Sequence, residues 1–289
     1  MKGLHELNHA ARLLLVLLAA LLPGDWAHAA TPEITTKISR LMEASGINHS
    51  MKQVLPGLLS GFDEAQQAQP IPVNVRAALR DAATQGFQNA PMLEKVRAKM
   101  TGMLNDKQID DTLSWLTTPL GRRITELENA ASEPAAAPKI QAYTEELQKR
   151  PAPAPRMRLI QELNQAMGAQ EMTNNFTEAM VLATALGVNA AQPQQQQVPA
   201  DKLQKEVKAN MPELYQQTEQ MLTTTLLYTY VPLSDKEIET YIQFAKSASG
   251  AAYSRSAVAG VSDALLEAIA RFMTAIPKAI ERTKGAVGA

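Results

Sequence analysis

Cysteine is absent from all 289 positions, and that absence removes several chemistries at once. No disulfide can staple the fold, no thiolate can serve as a nucleophile, and neither a cysteine-ligated zinc nor a c-type haem can be held. Anchoring through a lipidated cysteine is excluded in the same way. Histidine is nearly missing too: of four, His5, His9 and His28 fall within the first 29 residues, so only His49 follows. A Ser-His-Asp triad would have to recruit His49, whose setting in Asn48-His49-Ser50 reads as a loop and helix N-cap. There is no excess of basic charge, since 28 Lys and Arg face 29 Asp and Glu for a net charge of −1. That balance lacks the footprint a nucleic-acid partner requires. Beyond residue 22 no apolar run approaches the roughly 20 residues that span a bilayer as a helix.

What is present begins with a basic stretch carrying Lys2 and Arg12, then the apolar run 13–22, then Pro23-Gly24 and the small-residue sequence Ala27-His28-Ala29. This is the pattern of a secretory signal peptide, and its ten-residue apolar run is too short for a transmembrane anchor. Cleavage is expected after Ala29, giving a mature chain of 260 residues in the periplasm or outside the cell. The mature chain keeps 26 basic and 27 acidic residues, and must hold its fold by packing alone.

An internal repeat organises the rest. Residues 104–123, LNDKQIDDTLSWLTTPLGRR, recur at an offset of 129 as LSDKEIETYIQFAKSASGAA. Asn105 and Ser234 can each cap a helix, with Gln108 and Glu237 three residues on reaching back to the cap amide, the capping-box arrangement. Apolar residues follow at helical spacing: Ile109, Leu113 and Leu116 in one copy and Ile238, Ile242 and Ala245 in the other. Trp115 matches Phe244. Pro119 ends the helix, while Gly121 and Gly250 supply a residue that tolerates positive φ or a close backbone approach. Residues 41–46 and 163–168 also match, at an offset of 122. The tracts around 69–72 and 192–199, rich in proline and glutamine, read as loops of unequal length. The reading is all-α, with two tandem related helical bundles behind the leader: signal peptide 1–29, repeat 30–150, a semi-rigid proline linker 151–156, and a second repeat 157–289. The β-branched segment 223–231 reads as helix because its counterpart does, and the ladder Val261, Leu265, Ile269, Phe272, Ile276 reads as a helix packed within its own bundle.

The capped acidic helix start, the aromatic, and Trp115-Leu116-Thr117-Thr118-Pro119-Leu120-Gly121 together resemble the hallmark segment of the secreted bacterial family called domain of unknown function 2059. The second copy, Phe244 to Gly250, has Ala248 where the family has proline. The resemblance implies a helical domain behind a signal peptide and brings no activity with it.

Three functions compete on the residues. First-turn acids recur in both copies, Asp106, Asp110 and Asp111 in one and Asp235, Glu237 and Glu239 in the other. Paired carboxylates of this kind could serve a hydrolase acting on cell-wall glycan, although dipole and capping explain acids there as well. Met100 and Met103 share a helix face at a spacing that could hold Cu(I) in a periplasmic copper carrier, although methionine also fills helical cores. The reading preferred is a non-enzymatic module that binds another envelope protein or a peptide-like ligand. It has no assigned catalytic, cofactor or metal residue, and Asn105, Gln108, Trp115, Pro119, Gly121, Ser234, Glu237, Phe244 and Gly250 form its structural motif.

Overall fold

The computed structural model describes residues 32–68, 73–190 and 194–287. The leader and its expected cleavage after Ala29, the 69–72 tract and residues 191–193 lie outside that set. Among the described residues there are twelve α-helices and no strand, so the chain is all-α. They are α1 (Pro32–Ala44), α2 (Ile47–Ala68), α3 (Val73–Gly86), α4 (Asn89–Met103), α5 (Asp106–Leu116), α6 (Pro119–Ser132), α7 (Ala137–Lys149), α8 (Ala154–Met167), α9 (Ala169–Ala190), α10 (Ala200–Thr229), α11 (Asp235–Lys246) and α12 (Ala248–Val287). A 3₁₀ turn at Pro134–Ala136 separates α6 from α7, and a second, Gln194–Gln196, precedes α10. No described helix is long and apolar enough to cross a membrane.

Local signals explain most boundaries. Gly46 and Gly168 take φ of +75° and +69°, the left-handed conformation that ends a helix at least cost in glycine. The alternating prolines of 151–156 are extended only as far as Pro153. Ala154 opens α8 and Pro155 sits in its first turn, where a missing amide costs nothing because first-turn amides have no intrahelical partner. The β-branched segment is helical through Thr229, with Leu226, Leu227 and Thr229 buried. Burial on a helical period overrides a weak strand propensity.

Two apolar clusters form the core, and each draws on both ends of the chain. The larger joins Ile38, Leu41 and Met42 of α1, Ala78, Ala82 and Ala83 of α3, and Met92, Val96 and Met100 of α4 to Ala264 through Ala279 of α12. The smaller joins Ile160 and Leu163 of α8, Leu226, Leu227 and Tyr230, and Ile238 and Ile242 of α11 to Ile124 of α6. Leu120 and Leu127 of α6 and Tyr143 and Leu147 of α7 pack against it. The C-terminal ladder therefore does not pack chiefly within residues 157–289. It lies along α3 and α4, because small residues admit it: a Cβ at Gly86 would stand 2.7 Å from the Phe272 backbone. At 40 residues α12 is about 60 Å long, enough to cover both helices. Lys95–Glu267 (2.8 Å) and Lys99–Asp263 (2.9 Å) flank the seam. Exposed pairs of this kind contribute about 0–1 kcal/mol each and serve mainly to fix register.

Gly86→Ala is expected to cost about 1–3 kcal/mol by forcing α12 off its seat, read as a lower urea midpoint with little change in slope. A protease site placed within residues 150–153 and cut in the folded protein is expected to leave the two fragments in one peak on gel filtration. Separation without denaturant would contradict the shared cores.

Candidate functional site

The two matching stretches form two capped turns with the same hydrogen bonds. The Gln108 amide donates to Asn105 Oδ1 (2.9 Å) and the Asn105 amide to Gln108 Oε1 (3.0 Å). In the second turn the Glu237 amide donates to Ser234 Oγ (3.3 Å) and the Ser234 amide to Glu237 Oε2 (2.8 Å). Each pair satisfies two amides that the helix start leaves open. At the far end Thr118 Oγ1 accepts from the Gly121 amide (2.9 Å), with Pro119 opening α6. Ser247 Oγ accepts from Gly250 (3.0 Å) in the same way. A Cβ at Gly121 would stand 2.3 Å from the Trp115 carbonyl oxygen, and one at Gly250 1.9 Å from that of Phe244. Close approach, not positive φ, is what requires glycine here.

The two turns also lie against each other. The Trp115 ring stacks on Phe244 at 4.7 Å and 11° and reaches Tyr241 at 6.2 Å. Arg123 donates to Glu237 Oε1 (2.8 Å) and to the Pro232 carbonyl (2.6 Å), and Ser249 Oγ donates to Asp111 Oδ2 (2.7 Å).

Behind the stack lies a carboxylate that sequence reading overlooked. Glu128 Oε1 accepts from the phenols of Tyr230 (2.6 Å) and Tyr241 (3.1 Å), tying α6 to the end of α10 and to α11. The residue keeps some exposed surface, but Tyr230 is fully buried and Tyr241 nearly so. Desolvation around the carboxylate raises the Glu128 pKa above its ordinary value, against the opposing pull of the two phenols. Burial and the nearby Glu128 charge push Tyr230 and Tyr241 well above the usual tyrosine range, and burial pushes Tyr253 up to about 12. The signal was available in the sequence: Ile124, Leu127 and Glu128 share a helix face, which puts an acid on an apolar stripe.

An open groove of about 1060 Å³ lies between α7, the start of α8 and the second half of α10. Ile140 and Leu147 of α7, Met157 of α8 and Leu227 of α10 give it an aliphatic floor. Its walls carry glutamines and threonines, and Glu219 is the only charged residue in the lining.

The remaining candidates are engaged elsewhere. Lys37 Nζ sits 3.1 Å from both Asp106 and Asp110, Lys107 is 2.7 Å from Asp111, and Arg156 is 2.7 Å from Asp235. The amide and hydroxyl of Ser234 hold Glu237 below the ordinary glutamate value, with Arg123 adding to the effect. Glu239 is exposed on α11. His49 is on α2 rather than in a loop, with Nε2 2.9 Å from Glu133. Met100 is fully buried in the larger cluster, whereas Met103 is 43 % exposed, so the two thioethers do not face one site. Among the described residues no group of three or more His, Cys, Asp or Glu could hold a metal ion.

No protein-family model, curated protein or solved structure matches the chain. The functional reading rests on the chain's own residues.

A raised folded-state pKa means that the folded protein binds more protons than the unfolded chain between the ordinary glutamate value and the raised one. Glu128 therefore adds stability as pH falls through that interval and costs stability above it. Glu128→Gln keeps an acceptor for both phenols and is expected to be as stable as wild type or more so at pH 7, with that advantage shrinking toward pH 4.5. Glu128→Leu strands two phenols at about 1–3 kcal/mol each. Urea unfolding of the three proteins across this pH range checks the order.

Proposed function

We propose that the chain is an exported, non-catalytic binding module of the bacterial envelope, built from two copies of one helical unit, and that it engages its partner in the groove between α7, α8 and α10. The groove carries this reading. It is a sizeable concavity with an aliphatic floor beneath polar walls, the composition of a recognition site, and among the described residues no other segment fills it.

Duplication is supported by features that recur at the sequence offsets: positive φ at Gly46 and Gly168, the two capping boxes, and Gly121 and Gly250 against the carbonyl of the matching aromatic. On this reading the units exchange their last helices, α12 closing the first core and α6 with α7 closing the second. The leader pattern of residues 1–29 supports export to the periplasm or beyond. Kinship with the domain of unknown function 2059 family rests on residues 115–121 and their counterpart at 244–250. A non-catalytic role fits five of the six acids, Asp106, Asp110, Asp111, Asp235 and Glu237, which are engaged with lysine, arginine or capping groups.

A photo-crosslinking residue at Thr224, in the groove, is expected to give discrete adducts in an envelope extract. The same residue at Gln85, in the smaller cleft between α3 and α12, is expected to give none. Equal labelling at both positions, or no adduct at Thr224, would sink the reading.

A further inference from the structure

The groove lies beside a ladder that the repeat leaves partly uncovered, and its lining sets the ligand class. Gly86 lets α12 lie directly on the helix pair it covers, so that Ile269, Phe272 and Ile276 are all buried. The matching ladder on α7, Ile140, Tyr143 and Leu147, contains no fully buried residue. One ladder is covered by α3 and α4; its counterpart lies beside a groove.

The walls select what can enter. Gln141, Gln148, Gln161, Gln216, Gln217 and Gln220 line all three sides, and all six are exposed. Gln141 donates to Glu145 (3.3 Å); no hydrogen bond is made by the other five side chains. Thr144 and Thr223 to Thr225 add hydroxyls. Covering these groups costs free energy unless the occupant returns both donors and acceptors. A carboxamide carries one acceptor and one donor group, the same pair that a peptide unit presents along an extended chain. A helical occupant has already spent its backbone groups internally. The described lining holds no cation to pair with an acid, a single carboxylate, Glu219, to set against a base, and no aromatic ring on which a sugar face could stack. From Ala137 to Gln148 the groove follows α7 for about 17 Å, the length of roughly five extended residues.

We propose that the groove takes an extended, uncharged polypeptide segment, held by glutamine carboxamides along its backbone and by Ile140, Leu147 and Met157 under its aliphatic side chains. The proposal rests on the groove being the binding site and adds the class of ligand.

The test is fluorescence anisotropy of the full mature protein with an array of terminally blocked, uncharged hexapeptides drawn from Ala, Gln, Ser, Thr and Val. A subset is expected to bind, with affinity unchanged between 50 and 500 mM salt and reduced about tenfold or more, some 1.4 kcal/mol, in Gln161→Leu and Gln220→Leu. Thermal melts verify that these surface variants fold, and Gln85→Leu serves as the control that leaves binding intact. Tighter binding of the same sequences when stapled as helices, salt-sensitive binding, or preference for neutral peptidoglycan fragments overturns the proposal. So does failure of every peptide at 1 mM. If Thr224 adducts persist in that case, the groove remains the binding site and only the ligand class is lost.

Discussion

The Trp115–Phe244 stack is the contact on which the rest of the molecule depends. It brings the two capped turns face to face, and each turn launches the helix that closes a core. Gly121 and Gly250 permit that launch, because each helix leaves with its backbone against the carbonyl of the aromatic it has just passed. Trp115 packs on both apolar clusters, so the geometry of one turn is felt in both cores. Aromatic pairs of this kind contribute about 0.5–1.5 kcal/mol beyond the area they bury. Their larger effect here is directional.

Around that pair the polar contacts divide by role. Arg123 with Glu237 staples the turns at the surface where water competes, and buried Ser249 ties them again through Asp111. Glu128 is the expensive one, a desolvated carboxylate whose two phenol donors reduce its cost without cancelling it. Such a group specifies a pairing of helices more than it strengthens one, since any other arrangement leaves it unpaired. The three elements it joins, α6, α10 and α11, are drawn from both sides of the proline tract.

Much of this was legible in the sequence, and the failures have physical reasons. The capping boxes are local: a side chain and an amide three residues away decide them, so a motif suffices. The all-α class follows from periodicity, and at 223–231, where β-branched residues argued otherwise, from the helical pattern of the counterpart in the first copy. The destination of the C-terminal ladder was not legible, because an apolar stripe states that it will be covered and not by what. Gly86 held that information but stands almost 190 positions from Phe272, and nothing in the local pattern joins them. The proline tract misled for a related reason, as proline serves an extended chain and the first turn of a helix equally well. Glu128 and the groove were missed because each becomes a site only when helices distant in sequence meet.

The mutual covering of the two cores also sets an order of events. As the chain is made, α1 through α5 appear with an apolar face whose cover, residues 264–279, follows only after α6 to α11. Contacts of such long sequence separation are slow to form because the entropy of closing the loop is spent first. The first half is therefore an incomplete folding unit throughout synthesis, with exposed alanine and methionine faces until the final helix arrives. This architecture makes α12 the most consequential helix of the fold: its loss opens the first half rather than shortening the second.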